Sequence, residues 1–165
     1  MIFIQFSFLL KYRLQLRTEL LSKGHRFTTQ GDTETIVHLY EEHQEDCLRR
    51  LNGMFAIALW DGPRRRLLLA RDPAGIKPLF YSALGRELRF GSEIKAFLSD
   101  PAFPRDVDPR AVSHYLSFGY VSGPDTIYRH IKRLEPGHRL IAENGAIRVE
   151  RYVIFADVGA TYAPW

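Results

Sequence analysis

Cys47 is the only thiol in this 165-residue sequence, so nucleophilic chemistry through sulfur has one candidate. It stands in "EDCLRRLNG" beside Leu48 and Leu51, spaced like a residue that faces a core, and cysteines so placed act as small hydrophobes. Nothing near it in sequence lowers its pKa toward the thiolate that attack requires. A metal reading is invited by "HLYEEH", where His38, Glu42 and His43 crowd one helix. His38 and His43 stand about 140° apart around that helix and share no ligand face, so the sequence predicts ordinary surface histidines and no metal site. Asp32 opens a helical pattern and has two readings. It can cap the helix, or its carboxylate can hold a substrate ammonium, and its lone pairs suffice for both. No GxSxG elbow, P-loop, HExxH or GxGxxG occurs.

The densest punctuation is "ARDPAGIKPLFY", residues 70–81. Asp72-Pro73-Ala74-Gly75 reads as a turn, with Pro73 in its second position and Gly75 able to take a positive φ. Arg71 and Asp72 are suited to bond backbone groups that such an irregular path leaves unpaired. The stretch reads as a rigid structural corner rather than as catalytic machinery.

The elements around these residues follow from periodicity. Residues 1–10 predict a strand, rich in β-formers. "RLQLRTELLSKG" predicts a helix with Leu16, Leu20 and Leu21 inward and Gly24 as its stop. "GDTETIVHLYEEHQ" predicts a second, capped by Asp32 or Thr33, with Ile36, Val37 and Tyr40 on its apolar side. "MFAIALWD" is the most informative strand. Phe55, Ile57 and Leu59 share one face and Met54, Ala56, Ala58 and Trp60 the other. Both faces are apolar, as are those of "RRLLLAR", so this hairpin belongs inside a layered structure. Short strands follow at "PLFYSA" and "ELRFGS", then helices at 92–98, opening with Ser92, and 109–118, capped by Asp108 with Pro109 first in the helix. "HRLIAENGAIRVERY" is a hairpin turned at Asn144-Gly145.

Composition sets the class. A formal charge of +4, 45% hydrophobic and 25% charged residues describe an ordinary globular chain with scattered arginines, not a basic stripe built for nucleic acid. One cysteine excludes an intramolecular disulfide and a CxxC zinc site and fits a reducing compartment. No run approaches the ~20 apolar residues of a membrane helix. The apolar start lacks the basic flank and cleavage site of a signal peptide. A cytoplasmic protein with no membrane partner is expected.

The run "LNGMFAIALWDGPRRRLLLARDPAGIKPLFYSALGRELRFGSEIKAFL", preceded by "RFTTQGDTETIVHLYEE" and followed by "YLSFGYVSGPDTIYRHIKRLEPGHRL", closely resembles the N-terminal glutaminase domain of glutamine-hydrolysing asparagine synthetases. The likeness covers about residues 13–152. It implies an α+β fold, the four-layer αββα sandwich of N-terminal-nucleophile hydrolases, here expected to be incomplete at its N-terminus. A class II glutamine amidotransferase domain over 1–152 and a tail over 153–165 are expected. In that family an N-terminal cysteine attacks the glutamine amide, and the ammonia feeds ATP-dependent asparagine synthesis in a second domain.

Against that pattern this sequence departs at the chemistry. Position 2, where the nucleophile would stand after the initiator Met, is Ile2. No counterpart exists of the "RGPD"-like segment whose arginine holds the glutamine carboxylate. Ser7 and Phe8 replace the Asn-Gly pair of the oxyanion hole. Only Asp32 matches a substrate-binding residue, the aspartate that holds the glutamine α-ammonium. The resemblance therefore implies a truncated fragment without catalytic residues, incompetent alone. It implies no cofactor in this chain, since ATP and magnesium belong to a synthetase domain that is absent. The expected partners are L-glutamine if its pocket survives, a synthetase domain or a second copy. Two other readings are a non-catalytic glutamine-sensing or partner-binding module, and a nucleic-acid binder acting through Arg64–Arg66.

Overall fold

The computed structural model describes residues 2–5, 8–10 and 13–154. The chain runs β1 (Ile2–Gln5), β2 (Phe8–Leu10), α1 (Arg13–Ser22), α2 (Asp32–His43), a 3₁₀ segment (Gln44–Arg50), β3 (Gly53–Asp61) and β4 (Arg66–Arg71). It continues through β5 (Phe80–Leu84), β6 (Glu87–Gly91), α3 (Lys95–Leu98), α4 (Pro109–Phe118), β7 (Lys132–Arg133), β8 (His138–Glu143) and β9 (Ala146–Arg151).

Two antiparallel sheets result. The larger is ordered β1-β3-β4-β8-β9 with β2 also on β3, and the smaller is β6-β5-β7. Strict alternation along β3 decides the layering. Phe55, Ile57 and Leu59 join Leu20, Ile36, Leu39 and Leu48 in a core between the larger sheet and α1, α2 and the 3₁₀ segment. Ala56 and Ala58 face the other way and join Leu69, Leu79, Leu134 and Leu140 between the two sheets. Small alanines there suit two sheets in close contact. A third cluster, Phe97, Phe103 and Ile131 with Phe80 and Ile94, covers the outer face of the smaller sheet. Helix, sheet, sheet, helix is the expected four-layer sandwich.

Several local expectations hold. Asn144 and Gly145 both take positive φ, 52° and 78°, as a type I′ turn demands. Asp108 accepts the Arg110 N–H at 3.0 Å with Pro109 beside it. Others are corrected. The first ten residues form not one strand but two. β1 pairs with the C-terminal half of β3 (Ile2 opposite Asp61) and β2 with its N-terminal half (Phe8 opposite Phe55), so this segment covers the edge of β3. Leu21 is half exposed, because it stands about 100° around the helix from Leu20 and about 140° from Leu16. In α2, Leu39 is buried where Val37 was expected. The helix expected from Ser92 begins only at Lys95, after i→i+3 bonds from Ala96 N–H to Glu93 and Phe97 N–H to Ile94. Of the expected tail, residues 155–165 lie outside the described residues. Among the described residues no helix is long and apolar enough to cross a membrane.

Candidate functional site

Asp32 is the first residue of α2, not its cap. Gly31 holds the cap position in extended conformation, and no side chain caps the helix. Glu34 reaches back over the preceding loop. Its Oε1 accepts from the Thr28 N–H (2.6 Å) and hydroxyl (3.0 Å), and its Oε2 from the Thr29 N–H and hydroxyl, both 2.6 Å. These bonds, the Thr29 hydroxyl foremost, hold its carboxyl down to about 2. Arg13 donates to the Gln30 carbonyl and Arg17 to that of Thr29 at 2.8 Å, and the Arg17 guanidinium also lies 4.0 Å over the Phe27 ring. The loop is thus tied to both helices, and the entry to α2 is fixed.

The same Arg13 places its Nε 3.4 Å from Asp32 Oδ1. The carboxylate expected to receive a substrate ammonium therefore faces a cation already supplied by α1. Sequence reading missed this pair, because nineteen positions separate the two residues. Of the other positions compared with the family pattern, Ile2 lies in β1 and Phe8 in β2, and Ser7 lies outside the described residues.

Cys47 is fully buried in the core under α2, and burial pushes its thiol up to about 12. A thiol so placed is neither accessible nor ionised near neutrality. The corner at residues 71–77 is structural, as its punctuation suggests. Arg71 Nε donates to the Lys77 carbonyl (2.8 Å), one terminal nitrogen to Leu134 (2.8 Å) and the other to Gly75 (2.6 Å). Asp72 accepts the N–H groups of Ile76 (2.9 Å) and Lys77 (3.0 Å), and the Tyr152 hydroxyl donates to the Arg71 carbonyl (2.8 Å). Each guanidinium nitrogen of Arg71 and each carboxylate oxygen of Asp72 is thus bound to a backbone group.

A cavity of about 340 Å³ opens between the sheets, walled by Trp60, Leu67, Leu88 and Ala142 with Arg65 and Arg86 at its rim. It lies at the Asp61 end of β3, away from the end where Phe8 meets Phe55, and it gathers no nucleophile. Two of the three arginines of the basic run beside it are paired with acids of the same chain, although Arg64 and Arg65 are exposed. Arg64 bonds Asp61, and Arg66 bridges Glu45 (2.8 Å) and Glu143 (2.9 Å).

His38 and His43 do not share a face, in keeping with their spacing. His43 instead meets Arg50 at 2.9 Å. A different partner arrives from α1: His25 Nδ1 lies 3.1 Å from His38 Nδ1.

Residues 11–153 match the family model described as a glutamine amidotransferase domain. The chain belongs to that family. As a glutamine amidotransferase domain it is similar to asparagine synthetase [glutamine-hydrolyzing] 3 of Bacillus subtilis, 43% identical over 138 residues. That match takes in 83% of this chain and 22% of the relative. A putative asparagine synthetase [glutamine-hydrolyzing] of Mycobacterium bovis is 41% identical over 147 residues, 86% of this chain and again 22% of the relative. The chain thus spans about a fifth of the length of the curated relatives it matches. Among solved structures, glutamine phosphoribosylpyrophosphate amidotransferase from B. subtilis superposes with a TM-score of 0.64 at 21% identity, over 92% of this chain and 29% of that one. That likeness extends the amidotransferase fold, of the N-terminal-nucleophile hydrolase type, across nearly the whole domain.

Proposed function

We propose that this domain is the glutaminase part of a glutamine-hydrolysing asparagine synthetase and that, by itself, it does not hydrolyse glutamine. The observation that carries the second half is the state of the only sulfur nucleophile, Cys47, buried and pushed up to about 12. Thiolate attack at neutral pH needs a low, exposed pKa. Asp32 is the residue by which glutamine would be held, and Arg13 competes with the α-ammonium for it. ATP and magnesium would act in the part of the relatives beyond the matched fifth, and no residue here is assigned to them. A cytoplasmic setting suits the single reduced cysteine. The ion pairs that Arg64 and Arg66 make with acids of the same chain lower the charge the run can offer and argue against a nucleic-acid partner.

The experiment is ammonia release from glutamine by the purified chain beside Asp32→Ala, with calorimetric titration of glutamine into both. No turnover above the Asp32→Ala background is expected. Turnover that Asp32→Ala abolishes would overturn the proposal and make the thiol the next group to test.

A partner-binding reading is favoured by one observation. α4 and the residues after it present Leu116 (79% exposed), Phe118 (69%), Tyr115 and Tyr120 to solvent, and large apolar side chains exposed together mark interaction sites. The partner proposed is a synthetase domain. Leu116→Asp is expected to leave the fold intact and to weaken association with the separately expressed remainder of the B. subtilis relative by tenfold or more, read by calorimetry. Unchanged association would remove α4 from the interface.

A further inference from the structure

Four side chains outside the expected glutamine site converge where α1 ends against α2. Gly24 takes φ 94°, with its N–H bonded to Leu21 and that of His25 to Leu20 at 3.1 Å. This is a Schellman closure, which fixes the backbone that carries His25. His38 and Glu41 lie three apart on α2 and so share one face. His25 Nδ1 to His38 Nδ1 is 3.1 Å, His38 Nδ1 to Glu41 Oε2 is 2.7 Å, and His25 Nδ1 to Glu41 Oε2 is 3.5 Å. Ligands at ~2.0–2.1 Å from a tetrahedral zinc stand about 3.3 Å from one another. The three separations bracket that value.

Proton accounting points the same way. His25 Nε2 lies 3.0 Å from Glu42 Oε1, and this bond places the ring proton on Nε2 and leaves Nδ1 with its lone pair. Glu42 is itself steadied by Lys23 at 3.0 Å. His38 Nδ1 then faces two acceptors, His25 Nδ1 and the Glu41 carboxylate, with one proton to give. If it supplies that proton, its Nε2 is an unprotonated nitrogen, and Nε2 is buried without a hydrogen-bond partner. A divalent cation among the three converging atoms resolves this. It takes the lone pairs of both Nδ1 atoms and one Glu41 oxygen, and His38 moves its proton to Nε2, on the side of the Glu34 carboxylate 4.0 Å away. A carboxylate behind each ligating histidine is the usual outer support of such a site.

We infer that His25, His38 and Glu41 form a binding site for a divalent transition-metal ion of the zinc type, with Glu42 orienting His25. Imidazole and carboxylate donors suit zinc over calcium or magnesium. Glu41 is half exposed, so a fourth position stays open to water. The ion ties the end of α1 to the middle of α2, and its binding does not depend on glutamine chemistry.

The test uses the full chain stripped with a chelator and titrated with zinc sulfate at pH 7.5, with cobalt as a spectroscopic stand-in. One equivalent is expected to bind in the micromolar range or tighter, with the strong visible absorption of tetrahedral cobalt. Glu41→Gln and His25→Gln are each expected to weaken binding tenfold or more. Glu42→Gln weakens it about tenfold through His25, and His43→Ala and His130→Ala leave it unchanged. Zinc should raise the Tm of the parent and not that of Glu41→Gln, whose half-exposed position keeps it folded. Absence of saturable binding, or binding that survives both Glu41→Gln and His25→Gln, would overturn the site.

Discussion

Arg71→Ala is expected to lower the stability of this domain by about 3 kcal/mol or more, since three carbonyls lose their donors at about 1 kcal/mol each. The guanidinium is buried and its three bonds run in different directions, to Lys77, Leu134 and Gly75. Burial pulls its pKa down, the sign of a charge held away from water, yet the carbonyls it serves have no other donor within the corner. For a chain of this size the loss corresponds to a fall in Tm of about 6–12 °C. Arg71→Lys recovers little, because an ammonium on a flexible stem does not reproduce the planar fork. Arg148→Ala, whose ion pairs with Glu45 and Glu150 are surface ones, is the control and should move the midpoint far less. Equal shifts for Arg71→Ala and Arg148→Ala would show that the corner is held by packing alone.

Gly137→Ala is the second large effect. Gly137 takes φ 66°, and an added Cβ would stand 2.3 Å from the Val153 carbonyl oxygen, a backbone atom that no rotamer change can move. The left-handed conformation alone costs a non-glycine residue about 1–2 kcal/mol. The clash adds the displacement of the Tyr152–Val153 crossing, where the Tyr152 N–H bonds Gly137 at 2.9 Å and the Tyr152 hydroxyl bonds Arg71 at 2.8 Å. Gly145→Ala separates the two contributions. Its φ is 78° and nothing lies within 4 Å of the new methyl, so it carries the conformational cost alone. Gly137→Ala should lose cooperative unfolding or melt more than 10 °C below Gly145→Ala. Coincident melting curves for the two would show that the crossing yields without strain.

What the sequence makes legible here is mostly what a period of two or a short turn encodes. The alternation of Phe55, Ile57 and Leu59 against Ala56 and Ala58 places both sheets and the helices outside them. Asn144-Gly145 and Asp108-Pro109 fix a hairpin and a helix start within two residues. The corner at Arg71–Asp72 is readable because its residue types are suited to bonding irregular backbone. Asp32 is found by likeness to a family pattern, whereas its contact with Arg13 is not. That contact depends on how Glu34 folds the loop between two helices, a distance set in three dimensions. His25 fails to join His38 in sequence for the same reason. Thirteen residues separate them, and only the closure at Gly24 turns one ring toward the other. A His-x₂-Glu pair on one helix face with another histidine just past the preceding helix is the signal that would have found it. The break of the first ten residues into two strands has no glycine, proline, asparagine or aspartate to announce it.

The order of strands in the larger sheet has a consequence for how the chain is made. β4 lies between β3, its immediate predecessor, and β8, whose Glu143 pairs with Arg66 across 77 positions of sequence. A ribosome adding about 5–20 residues each second delivers β8 roughly 4–15 s after β4 has been made. Through that interval the β3–β4 hairpin has the opposite edge of β4 unsatisfied, and it presents Leu69 on one face and Leu68 on the other. Nascent chains are therefore most prone to mispairing in that window. Chaperones that grip extended apolar segments would be needed by the growing polypeptide rather than by the finished domain.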